Sequence, residues 1–475
     1  MHKFVLLPTA LACLLMGAPP AWAAETMRQA VDAAMARFPE IQAAQHRREA
    51  ARAQVGQARA EWLPSINATL GEGRERSRNV STRLSGEDVN LSRREADISV
   101  TQLLFDGGAT GGQIRRFAAR AEGAEFGVIG TAEDVAFRTT QVFIEVRRLR
   151  DQLGIARENV GIHERTLSDV GLLADSGKGR RADVVQAQAR RALATSSVDQ
   201  ITGQLAQAEA GFRYLVGRPP GELAPPPPIA PRLPGRLDTA VNEAIQSHPV
   251  VRSAEKEIEA AQYDRESARA RQIAPRVTVE AGASRNRDID GISGVNQDHY
   301  AMLRLRYNLF RGFGDSERVR ESDARIEQAI AELARVRVEI ERDVRQAWEG
   351  LLAERSRVIA LEQYARASAD VVEVYRMQFQ LGQRTLLDVL NAENERYTAA
   401  ANLLVAQSAV TGGELRVLSS MGQLMDTIGV TVVEPVKVER QPGYQRVLES
   451  LGISLNGSRS AEPVVRETGT PANDR

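Results

Sequence analysis

The sequence carries one cysteine, Cys13, and that residue lies inside an amino-terminal stretch that reads as an export leader. Lys3 opens the stretch with a positive charge, Phe4 to Met16 is apolar, and Ala21-Trp22-Ala23 is a small-residue cleavage site. Residues 1–23 are therefore expected to be removed. The chain that is left has no thiol, which excludes a disulfide framework and any thiolate metal site. An excess of charge is also missing. The 62 basic residues balance 62 acidic ones, so no global field points to nucleic acid or to an acidic substrate. Past residue 23 there is no apolar run long enough for a spanning helix. Aromatic residues make up only 5% of the chain, which leaves little to cover a sheet with an ordinary core. Catalytic patterns are absent too. His46, His163, His248 and His299 are far apart and lack a ligand spacing, and Gly107, Gly108, Gly111 and Gly112 lack the lysine a phosphate-binding loop needs. The expectation is a non-enzyme with no cofactor and no metal.

What the sequence does contain is a duplication. Leu104-Phe105-Asp106-Gly107-Gly108 is echoed by Leu309-Phe310-Arg311-Gly312-Phe313, Gly177 by Gly382, Asp183 by Asp388, and Gly217 by Gly422. The offset is 205 each time, as 382 less 177 and 422 less 217 both show, so one structural unit occurs twice. Repeat 1 is assigned to 24–217 and repeat 2 to 237–422. A proline-rich linker at 218–236 joins them and is expected to be stiff and extended. Residues 423–475 form a tail, with a short strand at Val430–Val433 and a polar, disordered end from Ser454.

Each repeat runs through the same series. A short helix, a break at Phe38-Pro39 or His248-Pro249, and a longer helix end at Leu63-Pro64 or Ala274-Pro275. Alternation then replaces helical periodicity. Leu303, Leu305, Tyr307 and Leu309 face one way and Arg304, Arg306 and Asn308 the other, while Ile98, Val100, Gln102 and Leu104 keep the same phase in repeat 1. Hairpins are expected at about 65–105 and 276–310, with strands of about ten residues and polar tips at Ser77–Arg94 and Asp288–Asp298. Long helices follow at about 109–175 and 314–380. Val142, Leu149, Ala156, His163 and Val170 form one heptad row there, and Leu351, Val358, Ala365, Val372 and Phe379 another. About 67 residues at about 1.5 Å each give a rod of roughly 100 Å. Return helices are expected at about 182–217 and 386–421. Placed end to end with the helix before the hairpin, each return helix would match the rod.

Four amphipathic strands cannot close a barrel by themselves, and open edges cannot sit in lipid. Subunits must therefore pool their strands: two copies would make an eight-stranded barrel filled by side chains, and three a twelve-stranded one that could leave a passage. The fold class is mainly α with a membrane β-barrel, internally duplicated, and its logic is that of a conduit.

With its duplicated proline breaks, the Leu104–Gly108 motif and Gly382-Gln383-Arg384-Thr385-Leu386-Leu387-Asp388-Val389-Leu390, the chain resembles the TolC-like outer-membrane factors. These are the exit ducts of tripartite efflux pumps and type I secretion systems. The resemblance implies a homotrimer in the outer membrane, with a twelve-helix periplasmic tunnel opened by a periplasmic adaptor joined to an inner-membrane ABC or RND pump. It also implies site residues. Asp388 falls on the first of two aspartate rings that narrow the tunnel, and Asn391 replaces the second. Asp183 and Arg384 match a latch between the repeats, with Phe379 where the family has a tyrosine. Gly177 and Gly382 mark the turns offered to the adaptor. The Leu104–Gly108 motif resembles the branch serving type I protein secretion; drug or small-molecule efflux is the alternative, and a secreted coiled coil without a pore the weaker one.

Overall fold

The computed structural model describes residues 24–83 and 89–431. The export leader, residues 84–88 of the first hairpin tip and everything beyond Thr431 lie outside the described residues. Of the strand expected at Val430–Val433, Val430 and Thr431 are described and neither is in a strand.

Helix α1 (Met27–Arg37) opens with a capping box. The Thr26 hydroxyl accepts from the Gln29 N–H at 3.3 Å, and the Gln29 side chain accepts from the Thr26 N–H at 2.9 Å. Phe38 is extended, as a residue before proline must be, and α2 (Pro39–Ala60) starts with the proline at its first position. Strand β1 (Ser65–Ser77), a helical turn α3 (Val80–Arg83) and β2 (Val89–Phe105) follow, then α4 (Ala109–Asp175) and α5 (Arg181–Val216). Repeat 2 has the same series: α6 (Leu237–Ser247), α7 (Pro249–Ile273), β3 (Arg276–Ile289), β4 (Ile292–Arg306), α8 (Gly314–Gln380) and α9 (Leu386–Ser420). A short α10 (Leu424–Ile428) comes last. Both α4 and α8 have 67 residues, and each bound of α8 is the matching bound of α4 moved by 205.

The strands form one antiparallel sheet in the order β1-β2-β3-β4. Its register sorts side chains onto two faces. Ile66, Ala68 and Leu70 line up with Val100, Ile98 and Ala96, then with Ala281 and Ala283, then with Ala301; Val277 and Val279 face Leu305 and Leu303. The other face carries Asn67, Thr69, Asp97, Ser99, Thr101, Glu280, Thr278, Arg276, Arg304 and Arg306. On the apolar face Ile66, Leu70, Ile98, Leu303 and Leu305 are all exposed, with Leu70 at 84%. A band of apolar side chains bare to the surroundings, backed by a polar face, is the pattern of a membrane strand.

Three expectations need correction. The strands have 13, 17, 14 and 15 residues, not about ten. Arg93 and Arg94, expected in the first tip, pair across the ladder instead, Arg94 with Glu72 at 3.0 Å and Arg93 with Glu75 at 2.8 Å, so β2 continues through them. The second tip, expected at Asp288–Asp298, contracts to Asp290-Gly291, both at positive φ between paired Ile289 and Ile292. At the other end, β4 stops at Arg306, opposite Arg276, because Pro275 has no N–H with which to extend the ladder to Tyr307 and Leu309. The linker, expected to be stiff and extended, also packs on the rest of the chain. Leu223 bridges to Glu25, Leu223 and Ile229 are buried, and Arg147 and Arg150 donate to the carbonyls of Leu223, Pro220 and Gly221.

The core is duplicated like the chain. In repeat 1, Met27, Val31, Ala34 and Met35 of α1 pack with Val135, Phe143 and Val146 of α4 and with Phe212 and Leu215 of α5. In repeat 2, Ala240, Val241 and Ala244 of α6 pack with Val336, Ile340, Val344 and Leu351 of α8. Helix α4 lies along α2 and α7 on its first half and along α5 on its second, so two shorter helices flank the length of one long one. Among the described residues, no helix is long and apolar enough to cross a membrane.

Candidate functional site at the helix tips

The helix pairs turn at Ser176–Arg180 and Leu381–Thr385. Both turns close in the same way. Gly177 and Gly382 each have φ +71°, where a side chain would be strained, and the bonds Lys178 N–H to Leu173 carbonyl (2.9 Å) and Gln383 N–H to Gln378 carbonyl (2.8 Å) complete the helix ends. The glycines are thus helix caps in their own right, and no neighbouring atom crowds either of them.

The return helices start differently. Thr385 and Asp388 form a reciprocal box: Asp388 Oδ2 accepts from the Thr385 hydroxyl at 2.8 Å and from its N–H at 3.2 Å, and the Asp388 N–H donates to Thr385 Oγ1 at 3.3 Å. These bonds, with nearby Arg384, hold the Asp388 carboxyl below its ordinary range, so it is ionised at any physiological pH. Repeat 1 has Arg180 where repeat 2 has Thr385, and α5 begins without a side-chain cap.

Within the protomer the structure does not bring Asp183 to Arg384. The Arg384 guanidinium stacks over the Tyr375 ring at 4.2 Å, and its Nε donates to Gln378 at 3.0 Å. The phenylalanine in the tyrosine's place, Phe379, packs against a buried trio of Val170, Leu386 and Leu390 with Val184 beside it. The tips of the two repeats are therefore joined by an apolar plug. Exposed Asn391 adds a polar link, accepting from Arg190 at 2.8 Å. Tyr375 was legible only as a heptad residue; its role depends on the turn that folds Arg384 back by about two helical turns.

One cluster had no signal in the sequence beyond a histidine in a heptad row. Two turns above the plug, the seam between α4 and α9 buries Asn159, His163 and Glu393. Glu393, 1% exposed, forms ion pairs with Arg376 of α8 and Arg396 of its own helix, and Arg396 also reaches Glu158 at 3.7 Å. Burial pushes the His163 pKa down, Glu393 opposes that shift, and Arg190 adds to it. The offset places Ser368 and Gln188 where repeat 1 and repeat 2 have His163 and Glu393, so the charged layer exists on one seam only. A buried polar layer in a coiled-coil seam weakens it and fixes its register.

These features define a class: a section of a membrane duct wall, with strands that show one face to lipid and rods that continue the wall beyond it. The chain belongs to the outer membrane efflux protein family, whose pattern matches residues 30–218 and 240–423, one segment in each repeat. It is similar to the outer membrane efflux protein BepC of Brucella suis, at 24% identity over 80% of this chain and 82% of BepC. It is similar to protein CyaE of Bordetella pertussis at 27% over 83% and 84%. It is also similar to the alkaline protease secretion protein AprF of Pseudomonas aeruginosa at 24% over 78% of each. Among solved structures, the Campylobacter jejuni CmeC outer membrane channel superposes with a TM-score of 0.71 at 13% identity, covering 95% of this chain and 98% of that one. The open state of the Neisseria gonorrhoeae MtrE channel gives 0.69 at 17%, covering 86% and 91%. The fold is TolC-like and the protein is one of the outer membrane.

Proposed function

We propose that this protein is the outer-membrane exit duct of a tripartite export system, working as a homotrimer with a periplasmic adaptor and an inner-membrane ABC or RND pump, and serving type I protein secretion. The observation that carries the reading is the four-stranded sheet, bare on its apolar face and with two unpaired edges, β1 and β4. Unpaired strand edges cannot remain in lipid, so copies must supply each other's edges. Three copies give twelve strands, enough to leave a passage. The rods then continue the passage to a gate where Asp388 and Asn391 narrow it. Gly177 and Gly382 present the turns to the adaptor, and the Phe379 plug holds the two repeats' tips together until the adaptor parts them. In this reading an Asp183–Arg384 contact takes no part in closing a single protomer.

Protein cargo is supported by the Leu104–Gly108 motif and by the similarity to a protein named for alkaline protease secretion. A second reading, efflux of small molecules, is favoured by the equal similarity to a protein named for efflux. Deleting the gene separates them. Protein secretion predicts that at least one major polypeptide leaves the culture supernatant while drug susceptibility holds within twofold. An unchanged supernatant with susceptibility raised several-fold transfers the chain to the efflux reading.

A further inference from the structure

All four strand–helix crossovers of the protomer meet at one cavity of about 450 Å³. Glu61 comes from the end of α2, Asp106 to Thr110 from the β2–α4 crossover, Arg271 to Arg276 from α7–β3, and Arg306 to Arg318 from β4–α8. Five arginines line it: Arg271, Arg276, Arg306, Arg311 and Arg318. The carboxylates there do not neutralise them. Asp106 is occupied by the Gly108 and Thr110 N–H groups, Glu61 lies 3.4 Å from the Thr110 hydroxyl, and Asp315 reaches only Arg311, at 3.9 Å. Among the described residues, no carboxylate lies within ion-pairing distance of Arg271, Arg276, Arg306 or Arg318, and all four are exposed.

The register decides which way this charge faces. Arg276 and Arg306 are cross-strand partners on the polar face, and Val277 and Leu305 beside them point to the apolar one. The two strand arginines of the cavity therefore lie on the polar face of the sheet, not on the apolar face that the duct reading turns to lipid. The duplication provides an internal comparison. At the positions equivalent to Arg306, Arg311 and Arg318, repeat 1 has Thr101, Asp106 and Gln113, and the partner of Thr101 is Ser65 where that of Arg306 is Arg276. A strand-to-helix crossing does not itself demand arginine, since repeat 1 makes its crossing from β2 to α4 without it at these positions.

We propose that this cavity is an anion-binding collar at the base of the barrel, taking carboxylate or phosphate groups of solutes in transit. Guanidinium groups recognise both kinds of anion through paired N–H donors. The collar rests on the exit-duct reading and adds a field opposite in sign to that of Asp388 at the far end. In a trimer it would form three basic sectors separated by the neutral sectors of repeat 1.

The test is current through the full-length protein in planar lipid bilayers, with sodium pyrophosphate and a hexaglutamate peptide as separate blockers added from the barrel side. Half-block by at least one is expected below millimolar concentration, and Arg276→Gln with Arg306→Gln raises that concentration at least tenfold. Block by hexaglutamate assigns the collar to acidic polypeptide, and block by pyrophosphate alone to small phosphates. Ser65→Arg with Thr101→Arg extends the collar into repeat 1 and lowers the half-blocking concentration, which covers the case in which the loss variant does not assemble. Channels that neither anion blocks, or that both variants leave unchanged, overturn the collar and leave the duct standing. A preparation that forms no channel overturns the duct reading and the collar with it.

Discussion

Asp106 does for α4 what no side chain does for α8. Its two carboxylate oxygens accept from the N–H groups of Gly108 (3.1 Å) and Thr110 (2.8 Å), while Arg311 occupies the place in repeat 2 and α8 starts from Phe313 at φ 67° with no side-chain cap. Replacing a cap of this kind costs about 0.5–2 kcal/mol. Asp106→Ala is therefore expected to lower the thermal midpoint of the purified protein by a few degrees, and Asp106→Asn by much less, as read by circular dichroism. Gly107 beside it is required for a different reason: a Cβ there would lie 2.1 Å from that of Ala274. The Leu104–Gly108 motif was legible in the sequence because cap and tight crossover are both local. Glu133 was not, since its partners lie almost three hundred residues on. It is buried, accepts from the Met425 N–H at 3.2 Å and has its pKa raised to about 7, first by burial, against the pull of the backbone bonds and with a push from Asp426. The folded protein thus holds this proton more tightly than the unfolded chain. The stability it contributes is complete below about 4.5 and lost as pH rises through about 7. Hydrogen exchange corrected for its intrinsic pH dependence should show protection of Leu424–Ile428 falling between about pH 4.5 and 7 and levelling above that, and Glu133→Gln should flatten that fall.

Among the elements, the long helices were the most legible. Glycines stand at both ends of them, and between those ends the chain has heptads and no proline, signals that are read along the chain. The strands were read too short for a physical reason. Arg93 and Arg94 look like loop residues one at a time, and become strand residues only when the register sets Glu75 and Glu72 beside them. The linker's prolines were legible as a stiff chain, but the burial of Leu223 and Ile229 was not, because composition does not reveal the core they enter. The tip seam shows the same limit. Helical spacing placed His163 on a packed row but said nothing of Glu393 opposite it. Glu393→Ala would leave Arg376 and Arg396 without their shared carboxylate in a buried seam, and a loss of about 1–3 kcal/mol is expected. Because the layer joins α4 to the α8–α9 pair, the loss should show as a higher open probability in single-channel recordings together with a lower thermal midpoint. A variant with native midpoint and native gating would remove the layer from the account of closure.

At the scale of the molecule, duplication organises everything from the two α1-type and α6-type caps on the cores to the four strands in one sheet. It also stops short of completing anything. Repeat 1 covers one edge of repeat 2 and leaves β1 and β4 open, with Leu70, Ile66, Leu303 and Leu305 bare on the same face. A single chain of this form is unstable in water because of its apolar band, and unstable in lipid because of its edges. Both difficulties are removed together when three chains pair β4 to the next β1. The most direct test is the mass of the protein taken from the outer membrane in detergent, by native mass spectrometry. The account predicts an assembly of three chains, with no monomer persisting without denaturant. A stable monomer, or a chain that stays in solution when detergent is withdrawn, would contradict it.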